Sequence, residues 1–495
     1  MNMKNIKSYI LMGTLALSAT SCSDSWLDQE PSTAVETDKV VNVLTDVEFL
    51  LNGIYNTMQD AYAYSGRLVY YADATGDDMQ AYSATKRTGN YYLLNFTKDT
   101  APTTFWSYPY EMIGLCNIIL GKIDNIETSE TELRDYFKGQ ALALRAMFLF
   151  DLTRFYGYPY KKDNGASLGV PIVTTVLDKN AKPKRNTVAE CYTAVISDLK
   201  AAVEAMDNDE GKDYHKGRIN LWGALTLLSR VYLYHGDNAE AYNMATQAIK
   251  GAEKQGYRLW SNAEYPSAWG FDYSESNKGE VLFEIVNLTD DSPGKESLGR
   301  LHSPSGYKDI CVTSSFHALL NEDPSDVRLK LLVYSSKRGF VNKYQPQEGE
   351  DIMDANIPLL RLSEAYLNAA EAAVKTGDND NAVKWLDAIV SRANPKNSVQ
   401  GTQVTLDRVM TERRKELVGE GHRMFDALRD GGSVDRHDVS GQSKVSSTKH
   451  LTSAKEKLHF DWNYFKCVLP IPKSEIDANG NIEQNPLYQS SNDQK

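Results

Sequence analysis

Residues 357–393 read IPLLRLSEAYLNAAEAAVKTGDNDNAVKWLDAIVSRA. Apolar residues recur at spacings of three and four on both sides of Gly377-Asp378, so the stretch divides into two amphipathic helices, 358–376 and 380–393. The Gly-Asp turn reverses the chain between them. Outward from this hairpin, residues 222–250, WGALTLLSRVYLYHGDNAEAYNMATQAIK, repeat the design. Setting Gly236-Asp237 on Gly377-Asp378 brings Tyr232 against Ala373, Ala241 against Ala382, Ala245 against Leu386 and Ala248 against Ile389.

Both segments, 222–250 and 363–393, fit a tetratricopeptide unit (TPR) of about 34 residues, in which small residues let two antiparallel helices approach closely. The turns at 236 and 377 stand much further apart than one repeat, so loop-rich chain is inserted between the units. Insertions in repeat folds project from one face and often carry the binding surface. Further helices are expected at 46–62 behind a Thr45/Glu48 capping box, at 106–123, at 130–156 behind Ser129/Glu132, and from Thr187/Glu190 to about 206. Another is expected at 405–430. Residues 63–105 and 257–350, rich in Tyr, Trp, Gly, Asp and Ser, read as loops with short strands. The fold class that follows is mainly α, with TPR-like helical hairpins as scaffold, long loop-rich insertions and a few short strands.

Of the 495 residues 24% are charged and 41% hydrophobic, which excludes a disordered chain and a fibrous rod. The 54 basic and 66 acidic residues leave a net charge of -12, the wrong sign for a nucleic-acid partner. Tyrosine dominates the aromatics, 29 against 14 Phe and 7 Trp. Such rings pack on one face and hydrogen-bond at the rim, which suits wet binding surfaces.

The N-terminus has a basic start at Lys4 and Lys7, an apolar run YILMGTLAL from Tyr9, and small residues before Cys22. This is a secretory signal, too short to span a bilayer. It resembles a bacterial lipoprotein signal spanning 1–21, with Ala19 where that pattern has Leu, and the resemblance implies acylation of Cys22 and a lipid anchor. The later cysteines, Cys116, Cys191, Cys311 and Cys467, lie at no metal-ligand or CxxC spacing and read as buried thiols.

Ordered blocks along the chain carry a family resemblance. Asp77-Asp78, then Trp106, Tyr110, Ile113 and Asn117, the run QALALRAMFLFDLTRFYGYPY at 140–160 and GVPIV at 169–173 form its first half. The hairpin helix at 357–377, ERRKELVGEGHRMFDALRDG at 412–431 and LPIPKSEIDANGNIEQNP at 469–486 form its second. Together they resemble the SusD/RagB family of outer-membrane nutrient-binding lipoproteins, as Ser23-Asp24-Ser25-Trp26 resembles the export tag of surface lipoproteins in Bacteroides-like bacteria. The resemblance covers 22–495 as a single domain. It implies a non-enzymatic protein on the cell exterior, held at the outer membrane by its lipid, which captures oligo- or polysaccharide for a SusC-like TonB-dependent transporter.

A sugar ring offers an apolar face and a rim of hydroxyls, so its receptor needs aromatic planes flanked by charged or amide groups. The loops supply both, and Asp77, Tyr82, Arg87 and Tyr91 in the first with Trp269, Tyr273 and Tyr307 in the second are the candidate ligand residues. The competing role for each ring is to anchor its loop from within. No catalytic residue, cofactor or metal is expected. GASLG at 165–169 matches a nucleophile elbow in letters but sits in loop, and DANGN at 477–481 lacks the later Glu of a calcium loop. Glu412, Glu416 and Glu420 line one helical face, where Arg413, Arg414, Arg423 or Arg429 would neutralise them in a buried ion network. Two other classes fit the same residues, a surface glycoside hydrolase and a TPR-type adaptor for peptide or protein.

Overall fold

The computed structural model describes residues 41–213, 216–270, 278–451 and 457–488. Cys22, the signal 1–21 and Tyr273 lie outside them. The following describes the compact unit that begins at Val43. In chain order its principal elements are α1 (Leu44–Gln59), α2 (Arg67–Thr75), β1 (Met79–Ala81), α3 (Thr104–Leu120), α4 (Thr131–Tyr156), α5 (Val188–Met206), α6 (Leu221–His235) and α7 (Asn238–Lys254). There follow β2 (Val281–Ile285), β3 (Ile310–Val312), β4 (Leu332–Ser335), β5 (Arg338–Val341), β6 (Ile357–Arg361), α8 (Leu362–Lys375), α9 (Asn379–Ala393), α10 (Leu406–Leu417), α11 (Arg423–Leu428), β7 (Ser433–Asp435) and β8 (His459–Asp461).

Helices α3 to α7 pack each on the next, and α8 stacks on α7 and then on α9. The two expected hairpins, α6–α7 and α8–α9, are therefore neighbours in space although a long insertion separates them in sequence. Their turns match. Gly236 and Gly377 adopt φ of 100° and 80°, and Asp237 and Asp378 each cap the following helix, accepting from Glu240 N and Asn381 N. Tyr232, Ala373, Ala241, Ala382, Ala245, Leu386, Ala248 and Ile389 are all buried. At the α6–α7 crossing the Trp222 ring lies where a Cβ on Gly251 would be, 2.1 Å from that position, so only glycine admits the indole.

The insertion is closed at its base by β2 and β6, paired antiparallel from Val281 against Arg361 to Ile285 against Ile357. β6 runs straight into α8, so the expected helix at 358–376 begins instead with a strand, and Pro358 stands in the ladder. The strands occur as two-stranded pairs.

Several local expectations are corrected. Residues 67–75 form a helix within the stretch read as loop; its RLVYYADAT is only nine residues long, buried from Leu68 onward, and lies between clusters of Tyr, Gly, Asp and Ser that read as turns. The Thr187/Glu190 capping box forms, with Thr187 N on Glu190 Oε2 at 2.7 Å and Glu190 N on Thr187 Oγ1 at 3.2 Å. At α1 the cap lies two residues earlier than Thr45, where Asp46 accepts from Val43 N at 3.1 Å. α4 starts after Glu130 without a side-chain cap. The helix expected at 405–430 is broken into α10 and α11 by Gly419 and Gly421, both at φ 81°. Cys116, Cys191, Cys311 and Cys467 are buried free thiols. No helix among the described residues is long and apolar enough to cross a membrane.

Candidate functional site

Two loops far apart in sequence meet through β1 and β3, which pair antiparallel from Met79 against Val312 to Ala81 against Ile310. The ladder is prolonged by Tyr82 N donating to Asp309 O at 2.8 Å and Thr88 Oγ1 donating to the same oxygen at 2.7 Å. This pins 82–88 against 300–309. Lys308 holds a left-handed φ of 55°, a strained position for a side chain with a Cβ, next to Tyr307.

On this seam three tyrosines reach the surface, each with a cation over its ring. Arg87 lies 4.0 Å from the Tyr307 centroid, Arg67 3.7 Å from that of Tyr62, and Arg338 4.3 Å from that of Tyr82. Tyr62 is 37% exposed, and Tyr82 and Tyr307 are half-buried. The cations over Tyr62 and Tyr307 are fixed from behind. Glu296 accepts from Arg87 Nε at 3.0 Å and from Arg67 at 3.3 Å, while the buried Asp309 pairs with Arg87 at 3.1 Å and Lys86 at 3.3 Å. Partial burial would raise the Glu296 carboxyl, but hydrogen bonds from Arg87 and Arg67 hold it below the usual range. The result is a platform of ring surface, fixed guanidinium groups and carboxylates.

Of the residues expected from the sequence, Tyr82, Arg87 and Tyr307 come together here. Asp77, Tyr91 and Trp269 do not, because each is buried with internal partners. Asp77 binds Arg423, 2.9 Å to its Nη2, and accepts from Asp435 N. Burial would raise it, yet Arg423 holds it at about 2. Tyr91 packs edge-on to Tyr70 and Tyr71 and beside Phe96 and Phe105. Trp269 sits with Trp260 and Tyr265, its ring 4.8 Å from the Arg361 guanidinium and 5.0 Å from Lys343. Tyr62, Arg67, Glu296 and Arg338 were absent from the sequence-based set. Nothing in their local spacing marks them, since the Arg67–Glu296 and Tyr82–Arg338 contacts exist only once the chain is folded.

The glutamate face of α10 and its following turn is a buried ion network, and apart from Arg408 of α10, 2.9 Å from Glu412, its counter-charges come from other elements. Glu412 pairs with Arg328 at 2.7 Å, Glu416 with Arg392 at 2.7 Å and Arg361 at 3.3 Å, and Glu420 with Arg361 at 2.7 Å. Arg413, Arg414, Arg423 and Arg429 instead serve Asp426, Asp78, Asp77 and Glu371. No group of side chains among the described residues is placed to hold a metal ion.

Comparison with known proteins gives a consistent answer. The SusD family profile matches residues 320–488, and a SusD-like profile described as starch-binding associating with outer membrane matches 25–233. A Bacteroides vulgatus protein assigned to sugar binding is 62% identical, superposes with a TM-score of 0.88, and covers 91% of this chain and 100% of its own. A SusD superfamily protein from Bacteroides thetaiotaomicron is 36% identical with a TM-score of 0.82, over 90% of this chain and 100% of its own. A SusD-like carbohydrate binding protein from Bacteroides vulgatus is 25% identical with a TM-score of 0.76, over 89% and 98%. With its stacked TPR-like hairpins and relatives of this identity and coverage, the chain belongs to the SusD family.

Proposed function

We propose that this protein is a non-enzymatic glycan receptor of the outer cell surface, and that Tyr62, Tyr82 and Tyr307 with Arg67, Arg87 and Glu296 form its binding platform. The observation that carries the reading is the set of three surface tyrosines, each with a cation over its ring, two of those cations, Arg67 and Arg87, being held by the half-buried Glu296 and the buried Asp309. A pyranose stacks its C–H face on a ring and presents hydroxyls to the guanidinium and carboxylate edges. Because Arg67 and Arg87 are already fixed, little side-chain freedom is lost there on binding. The assignments of the relatives to sugar and carbohydrate binding support the same chemistry.

A glycoside hydrolase needs one carboxylic acid kept protonated near neutral pH. Glu296 is held in the opposite sense by its two arginines. We further infer lipid anchoring through Cys22 and transfer of bound glycan to a SusC-like TonB-dependent transporter. Support is the family's description as associating with the outer membrane. The distribution of a Cys22→Ala chain between membrane and soluble fractions is the measurement for the anchor.

The platform is tested by native gel electrophoresis through laminarin, soluble starch, arabinoxylan and galactomannan. Tyr307→Ala is expected to weaken retention about five- to tenfold, since an aromatic contact contributes roughly 1 kcal/mol beyond burial. Its urea midpoint should stay close to that of the parent, as Tyr307 lies at the surface. Equal retention of the parent and of a combined Tyr82→Ala, Tyr307→Ala chain would remove the platform from the site.

A further inference from the structure

Beside the platform, and outside every residue assigned to it so far, a polar cleft runs between α1 and the chain that leaves β2. It encloses about 330 Å³, within the range of small-ligand sites. Its α1 wall is an amide row, Asn52, Asn56 and Gln59, and Leu288 and Asp291 face it from the other side. Arg218 lies at its base, bonded to Asn52 and 4.4 Å from the centroid of the buried Tyr55 ring. The wall is held in place by neighbouring contacts. Asn56 Nδ2 donates to Gln59 at 3.2 Å and to Asp291 at 3.4 Å, and Gln59 Nε2 donates to Val286 O at 2.6 Å. An amide has two donors and two acceptor lone pairs, so these bonds leave capacity for a ligand.

The apolar component is present too. Leu288 is 44% exposed at the cleft. Phe49 is 67% exposed and lies seven residues before Asn56, two turns back on the same helical face. A large exposed ring in line with a row of amides is the composition expected of a saccharide subsite, whereas a protein-docking face would bring apolar residues in a contiguous patch.

Short stretches of chain and a relay of contacts link the cleft to the platform. α1 ends at Gln59, and Tyr62 follows with its N–H on Asp60 at 2.7 Å. Tyr62 stacks on Arg67, which Glu296 ties to Arg87 and so to Tyr307. Across the cleft, Asp291 lies five residues before Glu296 on the same segment. From Phe49 to Gln59 the helix adds about 15 Å at 1.5 Å per residue.

We propose that the α1 cleft is a second saccharide subsite continuous with the tyrosine platform, and that the ligand is an extended glycan chain occupying both. The inference rests on the glycan reading of the platform. Its consequence is selection by chain length, because one strand filling two linked subsites gains affinity without any change at either.

The test uses the soluble mature chain and size-fractionated oligosaccharides cut from whichever of the four polysaccharides retains it, titrated by calorimetry. The parent is expected to bind long fragments about tenfold or more tighter than the shortest fragments that bind at all. An Asn52→Ala, Asn56→Ala chain should keep the short-fragment affinity and lose most of that gain. Phe49→Ala, a change at an exposed ring, should do the same in part, and it guards against misfolding of the double variant. If both variants keep the full gain with length while Tyr307→Ala weakens every fragment, the second subsite is wrong and the platform stands. If Tyr307→Ala changes nothing while the α1 variants abolish binding, the platform reading fails and the cleft is the site. If none of the four polysaccharides retains the parent, the glycan reading falls and this inference falls with it.

Discussion

Trp269 shows how far a single side chain's surroundings outweigh its sequence context. It lies in a stretch of Pro, Ser, Ala and Gly that reads as exposed loop, yet it is 5% exposed. Its ring is 5.1 Å from Trp260 and 5.7 Å from Tyr265, and with Arg361 and Lys343 beside it the indole is the apolar wall of the network that holds Glu280, Glu416 and Glu420. Removing it would open a cavity and admit water to charges that depend on one another for compensation. Trp269→Ala is therefore expected to cost about 3–5 kcal/mol in urea unfolding. Polysaccharide retention by the chain that remains folded should match the parent. A stable Trp269→Ala chain that no longer binds glycan would put the ring back among the ligand contacts. The contrast with Tyr307, a surface ring whose loss should touch binding and spare stability, is the difference between an anchor and a contact.

At the scale of elements, the turns decide where helices stop. Gly377 and Gly421 have nearly the same left-handed φ, 80° and 81°, but different surroundings. A Cβ at 377 would meet nothing within 4 Å, whereas at 421 it would stand 2.7 Å from the Val69 carbonyl oxygen of α2. Gly377→Ala should cost about 1–2 kcal/mol, the backbone term alone, and Gly377→Asn less. Gly421→Ala should cost clearly more, because α2 and the α10–α11 turn must also separate. Thermal melts of the three chains check the order, and equal losses at 377 and 421 would refute it. The same contrast explains what the sequence discloses. The α6–α7 and α8–α9 hairpins are legible because each has an apolar stripe, a Gly-Asp turn and a polar outer face. Helix α2 is not, because its nine residues are too short a run to stand out among the Tyr, Gly, Asp and Ser clusters on either side. The break after Leu417 is hidden too, since a Gly at 419 or 421 is compatible with a helical pattern until its φ is known. The platform was half legible for a related reason. Tyr82, Arg87 and Tyr307 stand out as aromatic and charged loop residues, while Arg67, Glu296 and Arg338 acquire their roles only through long-range pairing.

Across the whole molecule, buried ion pairs join segments that no single element connects, and this gives the fold a characteristic response to acid. Asp77 ties the start of β1 to α11, Glu364 ties α8 to Arg230 of α6, and Glu416 ties α10 to Arg392, Arg361 and Arg328. Burial would raise all three carboxyls, but the facing guanidinium groups bring each down to about 2 from ordinary values of 3.8 or 4.5. A carboxyl depressed in the fold contributes stability that is complete above its unfolded value and lost as pH falls towards the folded one. These three therefore act between about pH 4.5 and 2. His302, lowered by burial to about 3, and the buried His422, also lowered, begin the loss earlier, from their ordinary 6.5. Three carboxyls oppose them. Glu280 and Glu284 are raised by burial and accept a proton more readily folded than unfolded, so their contribution is complete below about pH 4.5 and declines as pH rises above it. Asp73, pushed up by burial to about 8, is more stable protonated, so its contribution declines as pH rises from about 4 to 8. Between about pH 4.5 and 6.5 the trends of these three carboxyls and of the histidines run against each other, and the urea midpoint should vary little there before falling steeply below about pH 4.5. Asp73→Asn keeps an acceptor for the Gly421 N–H, which donates to Asp73 at 2.7 Å, and removes that carboxyl's share of the opposing trend. Its midpoint should then exceed the parent's by a margin that widens from about pH 4 up to about pH 8. Because the pairs are buried, added salt should shift the acid limb only slightly. A parent chain that keeps its neutral urea midpoint down to about pH 3, or an Asp73→Asn chain whose margin shrinks as pH rises, would contradict this assignment of signs.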